Sequence, residues 1–345
     1  MIRVGLIGAG FIGRNHFNQY EKMARRARVH ALCDKQAERL AGDWSGVGGN
    51  IGDRQGTRRD LTGIKPCADW HDLVADPDVD LVDICLPTTL HKDITVAALA
   101  AGKHVLCEKP MALAVSDCDQ MLAAADKARG LFMVAQCIRF WPEYVLLKQA
   151  CDDGRFGRLL ALNLRRQSEK PSHSLNNWLN QPQLSGGALF DLHIHDIDFA
   201  MFLLGKPGAI TAQGWGPSSD GFDRVYAMWH YPSGTNVQIE GYWDMPNGFG
   251  FNMGFTARFE KAAIVWDLST GKTLSVFTDG AEPTTPQLPS AEDGYYGEID
   301  YFLTCIEKNR KPAICPPRAS RDAVAIADLT GQSIRSGRPV EVRLG

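Results

Sequence analysis

The first thirteen residues carry a short apolar run, a glycine-rich turn and a helix start, and this order restricts the fold more than any other feature of the chain. Val4–Ile7 reads as a strand, and Gly8-Ala9-Gly10-Phe11-Ile12-Gly13 follows it directly. Gly8 permits a tight turn, Gly10 lets a phosphate group approach the backbone, and Gly13 lets helix and strand pack closely. The N–H groups and positive dipole end of the helix that opens there favour an anion. Taken alone, the pattern also fits a glycine-rich turn in some other α/β protein.

The context sharpens it. Up to about residue 130, apolar strands alternate with helical segments: Val29–Leu32, Leu81–Leu86, His104–Cys107 and Leu131–Gln136 are strand-like, and Ile94–Ala101 and Ser116–Ala128 are helical. Such alternation predicts a parallel sheet with helices on both faces. Asp34 ends the second strand, 21 residues after Gly13. A carboxylate there accepts from adenosine ribose hydroxyls and repels a 2′-phosphate, so the expected cofactor is NAD, with NADP disfavoured and Lys35 the one cation that would tolerate it. Leu86-Pro87-Thr88 with His91, and Glu108-Lys109-Pro110, follow strands whose carboxyl ends face the ligand crevice of such a sheet. Gly8, Gly10, Phe11, Ile12, Gly13, Asp34, Leu86, Pro87, Thr88, His91, Glu108 and Lys109 are therefore the expected cofactor residues, and Pro110 is a candidate for a cis bond.

Several function classes are disfavoured. The 37 Lys plus Arg against 40 Asp plus Glu give a formal charge of -3, which offers no general attraction to nucleic acid or anionic membrane. There is no apolar run of membrane-spanning length, and the N-terminal stretch reads as a strand and not as a signal peptide. Nine cysteines lack C-x-x-C spacing and sit mostly in apolar runs, as in Ile84-Cys85-Leu86, which suits small buried hydrophobes in a reducing, cytoplasmic setting. Asp43–Asp60 breaks the rhythm with five glycines and three arginines. It is expected to be a long solvated loop, or a contact with substrate or a partner subunit.

Beyond about residue 140 the character changes. One helix is expected from Gly187 to Leu204, stopped by Gly205. Val225–Tyr231, Asn236–Trp243, Gly250–Phe259, Ala263–Trp266 and Leu274–Phe277 read as strands joined by short turns, hence an antiparallel sheet. Tyr296–Lys308 and Ala319–Ser336 read as closing helices. On these patterns the chain divides into residues 1–138 and 139–345.

These pieces resemble the glucose–fructose oxidoreductase / inositol dehydrogenase / MocA family over nearly the whole chain. The resemblance rests on the glycine turn with His16, on Asp80–Thr88 with His91, on Gly102–Pro110 with its Glu-Lys-Pro, and on Ser185–Asp198. It implies a Rossmann domain followed by an α+β domain with a large, mostly antiparallel sheet that often mediates homo-oligomerisation, as a dimer or tetramer. It implies a sugar or cyclitol substrate, and Lys109, Asp191 and His195 in the active site. The chain departs from the family pattern in the Asp43–Asp60 loop and in Thr88-Thr89, where Asn is common.

The second-half motif also has a reading of its own. On one helix, Asp191 and His195 would share a face with Asp198, and a His beside a carboxylate suits a general base near neutral pH. A satisfied structural histidine is the plainer alternative. His193 and His195 point about 200° apart on a helix, so no metal is expected. Trp178, beside Asn177, is a tentative substrate contact, and His173, Arg139 and Trp243 are weaker ones. The expected activity is NAD-dependent oxidation of a secondary alcohol, with Lys109 stabilising the substrate oxygen and His195 taking its proton. A redox-neutral enzyme that recycles bound NAD, and a non-catalytic NAD-responsive binder, are the alternatives.

Overall fold

The computed structural model describes residues 1–49, 56–172, 174–216, 221–271 and 273–345. The chain forms two compact units: residues 1–137 with 172–178 and 295–321, and residues 138–171 with 179–294 and 322–345.

The first unit starts with β1 (Ile2–Ile7), α1 (Phe11–Lys22), β2 (Ala27–Cys33), α2 (Ala37–Leu40) and β3 (Lys65–Cys67). It continues with α3 (Trp70–Ala75), β4 (Leu81–Ile84), α4 (His91–Ala100), β5 (His104–Glu108), α5 (Val115–Lys127) and β6 (Phe132–Ala135). All six strands are parallel, in the order β3-β2-β1-β4-β5-β6. The order reverses at β1, and it is beside that reversal that open α/β sheets bind ligands. Strands β4 and β6 are buried throughout, as expected when helices cover both faces of a sheet.

The described part of the Asp43–Asp60 segment, residues 43–49 and 56–60, is an irregular loop that is only partly solvated. Trp44 is fully buried and packs edge-on against Phe17 at 4.9 Å, and Val47 joins the same cluster with Leu6, Leu32 and Cys85. The Trp44 indole donates to the Arg39 carbonyl (2.9 Å), and Arg14 donates to the Val47 carbonyl (3.2 Å). A buried indole outweighs the glycine-rich composition around it, because burying so large a ring is worth more than the turn residues suggest. Gly52 and Arg54 of this segment lie outside the described residues.

The second unit holds α6 (Pro142–Asp152), β7 (Leu159–Glu169), α7 (Pro182–Ser185), α8 (Gly187–Asp191), α9 (Ile194–Leu204), β8 (Ala209–Trp215) and β9 (Arg224–His230). It also holds β10 (Asn236–Met245), β11 (Phe251–Phe259), β12 (Ala262–Asp267) and β13 (Ser275–Thr278). The chain closes through α10 (Gly294–Glu307), α11 (Pro317–Ser336) and β14 (Val340–Glu341). The eight-stranded sheet runs β13-β12-β11-β7-β10-β9-β8-β14. Its pairings are antiparallel except β7 with β10. One sheet face is buried under Tyr144, Phe199, Phe255 and Trp266, whose rings meet edge-on or tilted at 4.8–6.1 Å. On the other face Trp215, Tyr226 and Met228 are exposed. Among the described residues no helix is long and apolar enough to cross a membrane.

Candidate functional site

The glycine turn of the first unit has the shape a dinucleotide needs. Gly8 has φ +97°, and a Cβ there would lie 2.3 Å from the Cys85 carbonyl oxygen. A Cβ on Gly13 would lie 1.8 Å from the Gly8 carbonyl oxygen, so helix and strand could not pack as they do. Gly10 has open space, with Arg39 Nη1 the nearest atom at 4.0 Å from a Cβ built there. Gly10 at the start of α1 makes no side-chain cap hydrogen bond among the described residues and no acidic residue occupies the first turn, so the positive end of the helix dipole there favours an anion.

Asp34 is buried at the end of β2 and anchored to the turn. Its Oδ2 accepts from the Ala9 N–H and its Oδ1 from the Gln36 N–H, both at 2.8 Å. Arg39 Nη1 stands 3.4 Å from Oδ2. Sequence reasoning weighed Lys35 as the neighbouring cation and passed over Arg39. Lys35 is exposed, and the short helix α2 is what returns Arg39 to the carboxylate. The helix start, the cramped Gly8 and Gly13 and the buried Asp34 carboxylate after β2 fit a bound dinucleotide.

Next to the turn, Phe11 and Ile12 are half-buried, and a Cβ on Gly49 would collide with the Phe11 ring at 2.0 Å. Pro87 is half-buried and Thr88 buried in the turn that follows β4. The His91 ring is enclosed, with Nδ1 2.9 Å from the Pro110 carbonyl oxygen and Nε2 2.9 Å from that of Leu86. It thus links the two loops that end β4 and β5. Burial pushes its pKa down. Glu108 is buried and accepts the Lys109 N–H at 3.0 Å, while the Lys109 side chain is half-buried. The Lys109–Pro110 bond is cis.

In the second unit the expected single helix over 187–204 is two. α8 ends at Asp191, and α9 begins at Ile194 after a turn in which the His193 N–H reaches back five residues to the Ala188 carbonyl (2.7 Å). The i, i+4 argument for Asp191 and His195 therefore crosses a break, and a wide turn of this kind is frequent at functional sites. Asp198, three residues after His195 on α9, is committed to another partner. Its carboxylate is bound by Arg139 through two hydrogen bonds of 2.7 Å, with both side chains buried. Asp196, one residue after His195, is bound by Arg166 of β7 at 3.0 and 3.1 Å, also buried. Two ion pairs thus lie one and three residues after His195, itself 9% exposed, and fix the first turns of α9 to their surroundings.

His193 is fully buried, neither ring nitrogen has a hydrogen-bond partner among the described residues, and a Cβ on Gly241 of β10 would meet its ring at 2.9 Å. Burial and the Arg166 charge hold its pKa down at about 3. Of the weaker candidates, Trp243 is buried and donates to Asp223 (2.7 Å), the position of a core residue. Arg139 is occupied by Asp198. Trp178 is half-buried, and Asn177 beside it is exposed with φ +55°. His173 lies outside the described residues.

Residues 2–136 match the family model described as an oxidoreductase family with an NAD-binding Rossmann fold, and residues 144–265 match the C-terminal domain model of the same family. The chain belongs to the Gfo/Idh/MocA oxidoreductase family. It is an NAD-dependent oxidoreductase, and the glycine turn and Asp34 lie within the residues matched to its NAD-binding model. Among relatives of this Gfo/Idh/MocA protein is a myo-inositol 2-dehydrogenase of Thermotoga maritima, 26% identical over 91% of this chain and 90% of that one. Another is an inositol 2-dehydrogenase of Rhizobium meliloti, 28% identical over 99% of each chain. In fold it is similar to a levoglucosan dehydrogenase solved with NADH and levoglucosan, with TM-score 0.83 and 23% identity over 99% of this chain and all of the other.

Proposed function

We propose that this oxidoreductase oxidises a secondary alcohol of a sugar or cyclitol. The observation that carries the reading is the pair of buried Arg–Asp clamps just after His195. Burying such pairs is costly, and in this reading they hold the start of α9, which carries His195, in one orientation. The names of the two inositol dehydrogenase relatives support the substrate class.

In this reading His195 takes the hydroxyl proton of the substrate, and its fixed helix keeps the imidazole oriented for that transfer. Lys109, at the family's motif position, stabilises negative charge developing on a substrate oxygen. Asp191 orients the His195 imidazole. Bound NAD supplies the hydride acceptor. Trp178 contacts the substrate, since an aromatic face suits the C–H side of a sugar ring.

The exposed Trp215, Tyr226 and Met228 share one sheet face, with the Arg224 guanidinium 5.6 Å from the Trp215 ring centre. We assign this face to a homo-oligomer contact, since exposed apolar patches of this kind mark interaction sites. The nine unbridged cysteines suit a reducing, cytoplasmic compartment. The decisive experiment is NADH formation across a panel of sugars, inositols and sugar acids. Stoichiometric NADH release with one member supports the reading. Turnover without net NADH points to redox-neutral chemistry, and NAD binding without turnover of any member removes the dehydrogenase assignment.

A further inference from the structure

The first unit buries a polar cluster that the dinucleotide turn does not use. His16, one turn after Gly13 on α1, is fully buried. Its Nδ1 lies 2.9 Å from Asp83 Oδ2 on β4. Its Nε2 lies 3.1 Å from Glu108 Oε1 on β5 and 3.7 Å from Glu298 Oε1 on α10. Tyr20, one turn further along α1, donates to the same Asp83 oxygen at 2.8 Å. Asp83 and Glu298 are fully buried and Glu108 is 5% exposed.

Both nitrogens of one ring therefore face carboxylate oxygens. Nδ1 hydrogen-bonds Asp83, whereas Nε2 approaches Glu108 at ion-pair distance without hydrogen-bond geometry among the described residues, so the Glu108 arm is a close charge contact. Burial by itself would push His16 down, but Asp83 and Cys85 outweigh it, and the pKa stands well above the ordinary imidazole value. The cluster thus sets one buried imidazole among three buried acidic side chains, a network in which loss of one member leaves the others poorly satisfied.

Glu108 is the member that leads outward. One of its oxygens faces His16, and the other accepts the N–H of Lys109, the next residue in the chain. We infer that His16 is a positioning residue for Lys109: through the Glu108 carboxylate it ties the main chain that carries the ammonium to the helix that opens at the cofactor turn. This rests on the role given to Lys109 under the proposed function. Strand ends and the loops after them open more readily than strand centres. A misplacement of about 1 Å can cost about 10²-fold in rate, so a tie of this kind has a catalytic consequence without touching substrate.

Two substitutions separate the two arms of the ring. His16→Asn places an amide where Nδ1 meets Asp83 and leaves Glu108 unheld. His16→Gln reaches toward the Nε2 position and Glu108. The first measurement needs no substrate: amide hydrogen exchange over residues 107–111, with thermal unfolding and NAD titration alongside. In His16→Asn, exchange at the Lys109 amide is expected to rise about tenfold or more while β1 and β6 keep their protection. His16→Gln is expected to restore most of that protection, and NAD affinity is expected to stay within about threefold in both variants. With a substrate in hand, His16→Asn should lower kcat and leave KM nearly unchanged, with partial rescue in His16→Gln. Unchanged exchange at Lys109, a rise spread evenly over every strand, or an unaltered kcat in His16→Asn overturns the inference. If His16→Asn does not fold, Glu108→Gln keeps an acceptor for the Lys109 N–H but removes the charge that faces His16. The same local acceleration is then expected, and its absence is equally fatal. Failure of the proposed function would appear separately, as wild-type turnover in Lys109→Ala.

Discussion

Arg139 and Asp198 form a two-fold hydrogen-bonded ion pair, both contacts 2.7 Å, with the side chains 3% and 1% exposed. Removing one member leaves an unpaired buried charge, so Asp198→Ala should destabilise the protein by about 3–5 kcal/mol. Replacing both members by apolar residues of similar volume should recover most of that loss. Denaturant unfolding of the two single variants and the double variant checks it, and additive losses would refute the pairing argument.

Turnover separates the proposed base from its supports. With a confirmed substrate, His195→Ala should lower kcat by about 10²–10⁴ while NAD still binds. Lys109→Arg should rescue little of the Lys109→Ala defect, because the planar guanidinium does not reproduce the ammonium. Near wild-type kcat in His195→Ala would shift the base assignment to Lys109.

The buried indole of the glycine-rich segment should behave as core. Trp44→Ala is expected to cost about 3–5 kcal/mol of stability, as for other large-to-small core changes. Weaker NAD binding should accompany it, since the same segment packs on Phe11 and Arg14 in the first turn of α1. A stability change below about 1 kcal/mol, within the range of surface substitutions, would show that the indole is dispensable.

His193 should leave a signature in acid. Its folded pKa of about 3 lies below the ordinary imidazole value of 6.5, so the unfolded chain binds the extra proton between them. Its contribution is complete above about pH 6.5 and is lost as the pH falls toward 3. His193→Leu should flatten that part of the profile. Its neutral-pH stability should match or exceed that of the wild type, because the imidazole it replaces has no hydrogen-bond partner among the described residues. Parallel wild-type and variant curves of unfolding free energy against pH between 4 and 7 would contradict the buried neutral state.

Much of the first unit could be read from local pattern. The strand–turn–helix start, the carboxylate after β2 and the alternation that follows all reflect short-range rules: positive φ at Gly8, helix dipoles and buried parallel strands. The family motif added Lys109, Asp191 and His195 by position. Strand β7 escaped notice although it lies near the middle of the second sheet, because Arg165-Arg166-Gln167 interrupts its apolar run. Arg166 belongs in that interior because Asp196, thirty residues away, neutralises it there.

The sequence by itself determined the strand–helix alternation of the first unit, the glycine turn and the identity of the chemical groups at the motif positions, since these depend on residues close together in the chain. Only the tertiary structure decided which charges pair. Asp198 goes to Arg139 and Asp196 to Arg166, His16 lies among Asp83, Glu108 and Glu298, Arg39 reaches Asp34, and Trp44 enters the core. Most of these partners are far apart in sequence. In a low-dielectric interior a charge is stable only beside its counter-charge, so their roles are set by where the fold brings the partner and not by the residue's own neighbourhood.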